Sequence, residues 1–190
     1  MTYWQLLLVG LAAAILSGGV VWVSIRLSHR YAVYDHPDDD RKTQVAPIPR
    51  LGGLAVVVAF VVSVLVALSL LGRWNQVALA ASVLVPALGM AFVGFLDDKR
   101  SLAPYPRLAM QAGLAGLAFL MGTRIQVFGN VWIDGLLFVL WALILINGIN
   151  LLDNSDGLAA TTVMVSSVGA TIIAAMSGQI LISLMGAALA

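Results

Sequence analysis

Leu51 to Gly72 reads LGGLAVVVAFVVSVLVALSLLG, 22 residues without a charged side chain. A hydrocarbon core of about 30 Å needs about 20 such residues in helical form, so this stretch is long enough to span a bilayer. Working outward, Trp4 to Ile25 and Val77 to Leu96 are also uncharged, and each is bounded by charged or turn-forming residues. Leu108 to Met121 is shorter, but it extends through Arg107 if the aliphatic stem of that residue snorkels to the interface. Leu136 to about Asn150 and Leu158 to Met176 complete a set of six, and Ile180 to Ala190 is apolar but too short to span. The reading is an all-α polytopic membrane protein with about six to seven transmembrane helices.

Composition agrees. The 190 residues are 61% hydrophobic and only 10% charged, with a mean hydropathy of +1.00, whereas a soluble domain carries about 25% charged residues. A water-soluble globule is excluded because so few ionisable groups cannot cover its surface. A net charge of +1 provides no basic field for nucleic acid. The absence of cysteine excludes disulfides, thiolate metal sites and cysteine nucleophiles. No repeat or low-complexity linker divides the chain, so residues 1–190 read as one membrane domain. Met1 to Gln5 lacks the positive start of a signal peptide, and the first span reads as a retained anchor.

Alternating the spans places eight of the ten Lys and Arg residues on one face, with only Arg73 and Arg124 on the other. The positive-inside rule makes the first face cytoplasmic and puts the N-terminus outside. All nine acidic residues are Asp, and eight share the cytoplasmic face, Asp134 being the exception. Acidic residues have little influence on topology, so their gathering points to function. On the outer side, alternating Ile125, Val127, Val131 and Ile133 around Phe128-Gly129-Asn130 predict a small hairpin within Gly122 to Gly135.

The cytoplasmic polar residues form three clusters. The first runs from Asp35 through Asp38-Asp39-Asp40-Arg41-Lys42 to Pro47-Ile48-Pro49-Arg50-Leu51-Gly52-Gly53. It reads either as a solvated, proline-stiffened loop or as a site where Arg41, Lys42 and Arg50 capture phosphate. The second, Gly94-Phe95-Leu96-Asp97-Asp98-Lys99-Arg100, sets paired carboxylates at a helix C-terminus, where the helix dipole is already negative. Lys99 and Arg100 are expected to compensate, or else a Mg²⁺ ion with a diphosphate. The third, Asn147-Gly148-Ile149-Asn150-Leu151-Leu152-Asp153-Asn154-Ser155-Asp156-Gly157, sets Asn147, Asn150 and Asn154 within about 60° of one helix face. Interhelical hydrogen bonding, or a cap by Asn154 or Ser155, accounts for one or two of these polar groups, but not for five at membrane depth.

Taken together, the three clusters resemble the polyprenyl-phosphate N-acetylhexosamine-1-phosphate transferase family. The likeness lies in Arg41-Lys42 with Pro47-Ile48-Pro49-Arg50-Leu51-Gly52-Gly53, in Gly94-Phe95-Leu96-Asp97-Asp98 continuing to Arg107-Leu108 and Gln111, and in the Asn147, Asn150, Asp153, Asp156 series. It looks closer to the branch that transfers GlcNAc-phosphate than to the muramyl-pentapeptide branch. The resemblance implies a Mg²⁺-dependent enzyme of the inner (plasma) membrane with a cytoplasmic site. Such an enzyme moves N-acetylhexosamine-1-phosphate from a UDP-N-acetylhexosamine to polyprenyl phosphate, releasing UMP, in cell-wall or surface-polysaccharide synthesis. By the same likeness Asp97 and Asp98 are the catalytic pair, Asn150 is the metal ligand, and Arg41, Lys42, Asn147, Asp153 and Asp156 bind substrate. A homodimer is compatible with it.

Two positions depart from the family pattern, Gln44 where a His is usual and Asn154 where a Gly is usual. The family's later Gly-Asp motif and His-containing loop have no counterpart before Ala190. The chain is therefore expected to be the N-terminal portion of a larger transferase fold, inactive or feeble alone. Two other readings are a non-catalytic membrane transporter or assembly protein and an aspartate-rich membrane prenyltransferase; the adjacent pair Asp97-Asp98 has the wrong spacing for the latter.

Overall fold

The computed structural model describes residues 3–31, 34–35, 48–49, 52–153 and 157–190. The described α-helices are α1 (Tyr3–Tyr31), α2 (Gly52–Leu70), α3 (Val77–Arg100), α4 (Pro104–Met121), α5 (Val131–Leu152), α6 (Leu158–Met176) and α7 (Ile180–Leu189). The all-α polytopic membrane fold expected from the sequence is what they form. Four segments are long and apolar enough to cross a membrane by themselves: Trp4–Tyr31, Trp74–Arg100, Val131–Leu152 and Leu158–Met176. Ala55–Leu70 and Ile180–Leu189 are shorter apolar helices, and α4 opens on the polar turn Pro104-Tyr105-Pro106-Arg107. The chain divides into two compact units, residues 1–72 with 160–190, and residues 73–159.

In the first unit α1 packs on α2 and α7, and α2 on α7. Val64 and Leu68 of α2 and Leu184 of α7 are fully buried. Small residues let the helices approach, as membrane packing requires where lipid supplies no hydrophobic drive between helices. A Cβ at Gly10 would lie 3.2 Å from the Ala187 carbonyl oxygen, and one at Gly186 would collide with Thr171 Oγ1. Two short strands also stand in this unit, β1 (Tyr34–Asp35) and β2 (Ile48–Pro49), paired antiparallel with Tyr34 opposite Pro49 and Asp35 opposite Ile48. They tie together the two flanks of the segment that carries Arg41 and Lys42.

The second unit is built around α4, which packs on α3 on one side and α5 on the other. Ala115, Ala118 and Phe119 of α4 meet Phe138 of α5 in its core, the two rings 5.8 Å apart and tilted. Glycines set both helix contacts: Gly89 of α3 lies against Leu114, and Gly135 of α5 against Phe119. α5 buries only Asp134 and Phe138, leaving Leu136, Leu140, Trp141 and Ile144 exposed. A helix apolar all round with so little protein cover is suited to lipid. Pro86 stands inside α3, where its missing N–H leaves the Ser82 carbonyl without the usual helical donor. The Ser82 hydroxyl is 2.8 Å from Thr123 Oγ1 and 2.7 Å from the Leu79 carbonyl oxygen.

The outer hairpin is not formed. Val131 and Ile133 lie in the first turn of α5, which Asn130 caps by accepting the N–H groups of Trp132 and Ile133 at 3.0 and 3.3 Å. Asp134, 3% exposed, accepts the N–H groups of Val127 and Phe128 and folds the preceding loop onto the helix end. Those local hydrogen bonds satisfy the backbone that a strand pairing would otherwise have engaged.

Candidate active site

The second and third clusters both lie in the second unit. α3 ends in the sequence Asp97-Asp98-Lys99-Arg100, and Ser101 caps it in the left-handed region at φ 47°, its N–H donating to the Asp97 carbonyl oxygen at 2.7 Å. α4 then starts after extended Ala103, with Pro104 at its first position, where the lack of an N–H costs no helical hydrogen bond. Within this tight α3–α4 corner the Asp97 carboxylate is engaged at both oxygens. Oδ1 accepts the Leu102 N–H at 2.9 Å and Oδ2 accepts Arg107 Nη1 at 2.9 Å. Arg107, ten residues on, thus adds its charge to that of Lys99 and Arg100 in the last turn of α3. Arg107 does not simply snorkel: its Nε is buried. Asp98, beside it in sequence, is exposed.

Asn147 and Asn150 stand in the last two turns of α5, and Asp153 is its C-cap, its N–H donating to the Ile149 carbonyl oxygen at 3.1 Å. Asn147 is half-buried, and its Nδ2 donates to Gln111 Oε1 of α4 at 3.0 Å and to the Leu143 carbonyl oxygen at 2.9 Å. That is interhelical hydrogen bonding between α5 and α4. Asn150 and Asp153 are exposed. The substrate-binding candidates Arg41, Lys42 and Asp156 lie outside the described residues, as do Gln44 and Asn154.

Arg107 and Gln111 fall one turn apart on α4, about 6 Å along its axis. The first touches the second cluster and the other the third, so the two clusters stand at the same end of this unit. Reading the sequence by itself gives neither residue a site role. Their signal is nonetheless present: after its first turn α4 reads LAMQAGLAGLAFLM, with Gln111 its one polar side chain, and an amide buried at such a position needs a partner.

Carboxylate and amide oxygens are donors of the kind a hard cation takes. Among the described residues no group of three or more His, Cys, Asp or Glu side chains stands together. A Mg²⁺ ion that keeps several waters and binds through one or two carboxylates plus substrate phosphates needs no such group. Exposed Asp98 and the exposed amide of Asn150 offer oxygens of the required kind.

The family model described as glycosyl transferase family 4 matches residues 80–190, more than half of the chain. The chain is 29% identical over 166 residues to a probable undecaprenyl-phosphate N-acetylglucosaminyl 1-phosphate transferase of Bacillus subtilis (strain 168), covering 83% of this chain and 45% of that protein. It is 33% identical over 172 residues to a decaprenyl-phosphate N-acetylglucosaminephosphotransferase of Mycolicibacterium smegmatis (strain ATCC 700084 / mc(2)155), covering 82% and 42%. It is also 33% identical over 162 residues to a phospho-N-acetylmuramoyl-pentapeptide-transferase of Streptococcus pneumoniae (strain Taiwan19F-14), covering 76% and 48%. The chain spans about half the length of the curated relatives it matches. No solved structure matches it at a significant level.

Proposed function

The chain belongs to glycosyl transferase family 4, and from that premise we propose that it serves the transfer of N-acetylhexosamine-1-phosphate from a UDP-sugar to a polyprenyl phosphate at the cytoplasmic face of the plasma membrane. An oxygen of the lipid phosphate bonds to the β-phosphorus of the UDP-sugar, the bond from that phosphorus to the bridging oxygen breaks, and UMP leaves with the electron pair. The observation that supports the reading is that the acidic and amide clusters are each hydrogen-bonded to α4, one turn apart, at one end of a three-helix unit; on this reading that end lies where lipid and cytosol adjoin. A soluble nucleotide and a lipid head group can meet there without either leaving its own solvent.

Both reactants are anions, so charge neutralisation precedes everything else. Mg²⁺, when bound, supplies that neutralisation on the diphosphate. Asp98 and Asn150 would hold it, both being exposed. Asp97, engaged at both carboxylate oxygens, holds the end of α3 in place. Asp153 and Asp156 would contact the nucleotide sugar, and Arg41 and Lys42 the lipid phosphate. The acceptor needs little help from a base, because a phosphate monoester with a second pKa near 6 is mostly dianionic in the cytosol. Positioning is the larger task.

The test is UDP-GlcNAc binding to the chain in lipid nanodiscs, by calorimetry with Mg²⁺ and with EDTA. Binding should require Mg²⁺ and weaken at least about tenfold in Asp98→Asn and in Asn150→Ala, the order expected for losing one charge-assisted contact. The hydrogen bond from Asn147 to Gln111 favours a second reading, a transporter or assembly protein whose amides join helices. On that reading the same substitutions alter packing and leave no UDP-GlcNAc binding to lose. A homodimer belongs to the proposal as well, and light scattering of the chain in detergent reads it directly.

A further inference from the structure

Asp97 and Asn147 belong to different clusters and different helices, yet both are held by one face of α4. Arg107 Nη1 donates to Asp97 Oδ2 at 2.9 Å, and Gln111 Oε1 accepts from Asn147 Nδ2 at 3.0 Å. Residues at i and i+4 share a helix face, so these two side chains form one polar stripe on an otherwise apolar helix. Gln111 is 8% exposed, and burial of its amide is offset only by hydrogen bonding. In each cluster the clamped residue has an exposed neighbour, Asp98 next to Asp97 and Asn150 one turn beyond Asn147.

From this juxtaposition we infer that Arg107 and Gln111 are positioning residues, which fix the acidic end of α3 and the amide end of α5 at a set separation for one shared ligand. The inference rests on the transferase reading for the nature of that ligand, a nucleoside diphosphate sugar with its divalent cation. The two residues do not touch the reacting atoms. They act through Asp97 and Asn147, so that Asp98 and Asn150 are presented at a constant distance and the ligand need not order the helix ends when it binds.

The chain has no cysteine, so labels can be attached at single introduced sites. Spin labels at Arg100→Cys and Leu151→Cys, both exposed ends of their helices, report the separation of α3 and α5 by pulsed electron resonance. In the otherwise unaltered chain in nanodiscs the distance distribution should be single and narrow. Arg107→Ala and Gln111→Leu should each broaden it and weaken binding of UDP-GlcNAc with Mn²⁺ about tenfold, the order expected for one lost hydrogen-bonded clamp. Gln111→Glu, which still offers Asn147 an acceptor, should restore both readouts.

A distribution unchanged by Arg107→Ala and Gln111→Leu overturns the inference, whatever happens to binding. A broadened distribution with unchanged affinity overturns it too, since α4 would then be a structural brace only. Should the labelled parent chain not bind UDP-GlcNAc with Mn²⁺ at all, the transferase reading fails and takes the ligand half with it, while the label distances still decide whether α4 clamps the two ends. If Gln111→Leu does not fold, Arg107→Ala, a substitution nearer the helix end, decides the matter through the same two readouts.

Discussion

An aspartate in the last turn of a helix faces the helix's own free carbonyls, and Asp97 meets that repulsion with the Leu102 N–H and the Arg107 guanidinium. The Asp97–Arg107 pair is partly exposed, 25% and 30% at the two side chains, so the ion pair by itself contributes no more than about 1 kcal/mol. Arg107→Ala should therefore lower the thermal midpoint by only a few degrees, about 2–4 °C. Asp97→Ala should cost more, about 2 kcal/mol, because the Leu102 N–H loses its acceptor as well. Tryptophan fluorescence of the chain in nanodiscs measures both, and equal losses would contradict this account. Asp97 and Asp98 look equivalent in the sequence. Asp97 finds Arg107 ten residues away across a turn, and spacing alone gives no sign that Arg107 folds back. Gln111 is legible as a buried amide lacking a local partner, but its partner on α5 emerges only from tertiary packing.

At the scale of the element, α5 shows how a strand pattern can mislead. Val131 and Ile133 alternate as a strand would, yet Asn130 and Asp134 gather four backbone N–H groups between them and start a helix. Local hydrogen bonding outweighs a short alternation of β-branched residues, while the long uncharged runs are legible as helices because length and apolarity leave few alternatives. Asp134→Ala strands two N–H groups at the N-terminal end of α5 and should destabilise the chain by about 1–3 kcal/mol, with Asp134→Asn milder because it retains an acceptor. UDP-GlcNAc binding should not change in either, since α5 runs from Val131 to Leu152 and the amide cluster is at the far end. A loss of binding equal to that of Asn150→Ala would contradict the separation of the two ends. The α3–α4 contact invites another test. A Cβ at Gly89 would lie 2.6 Å from Leu114 Cδ2, so Gly89→Leu should cost about 1–3 kcal/mol by overpacking. Adding Leu114→Ala should recover part of that loss, and a double variant no more stable than the sum of the single losses would show that the two residues do not share a contact.

At the scale of the whole molecule, basic residues are the legible part. Their unequal distribution between alternate loops predicts an orientation that helix geometry leaves open. Single cysteines test it: Gln126→Cys should react with an impermeant maleimide in intact bacterial cells, and Arg100→Cys only after permeabilisation. The opposite pattern would invert the topology and remove the site from the cytosol. Family membership is legible in the order and spacing of three clusters, of which the second and third are each hydrogen-bonded to α4. The central claim is that these two clusters serve one divalent ion and its diphosphate. Mn²⁺ bound with UDP-GlcNAc to the nanodisc chain should shorten the relaxation of nitroxides placed at Arg100→Cys and at Leu151→Cys alike, and Asp98→Asn should abolish both effects. Relaxation at one site only, or at neither, would contradict it.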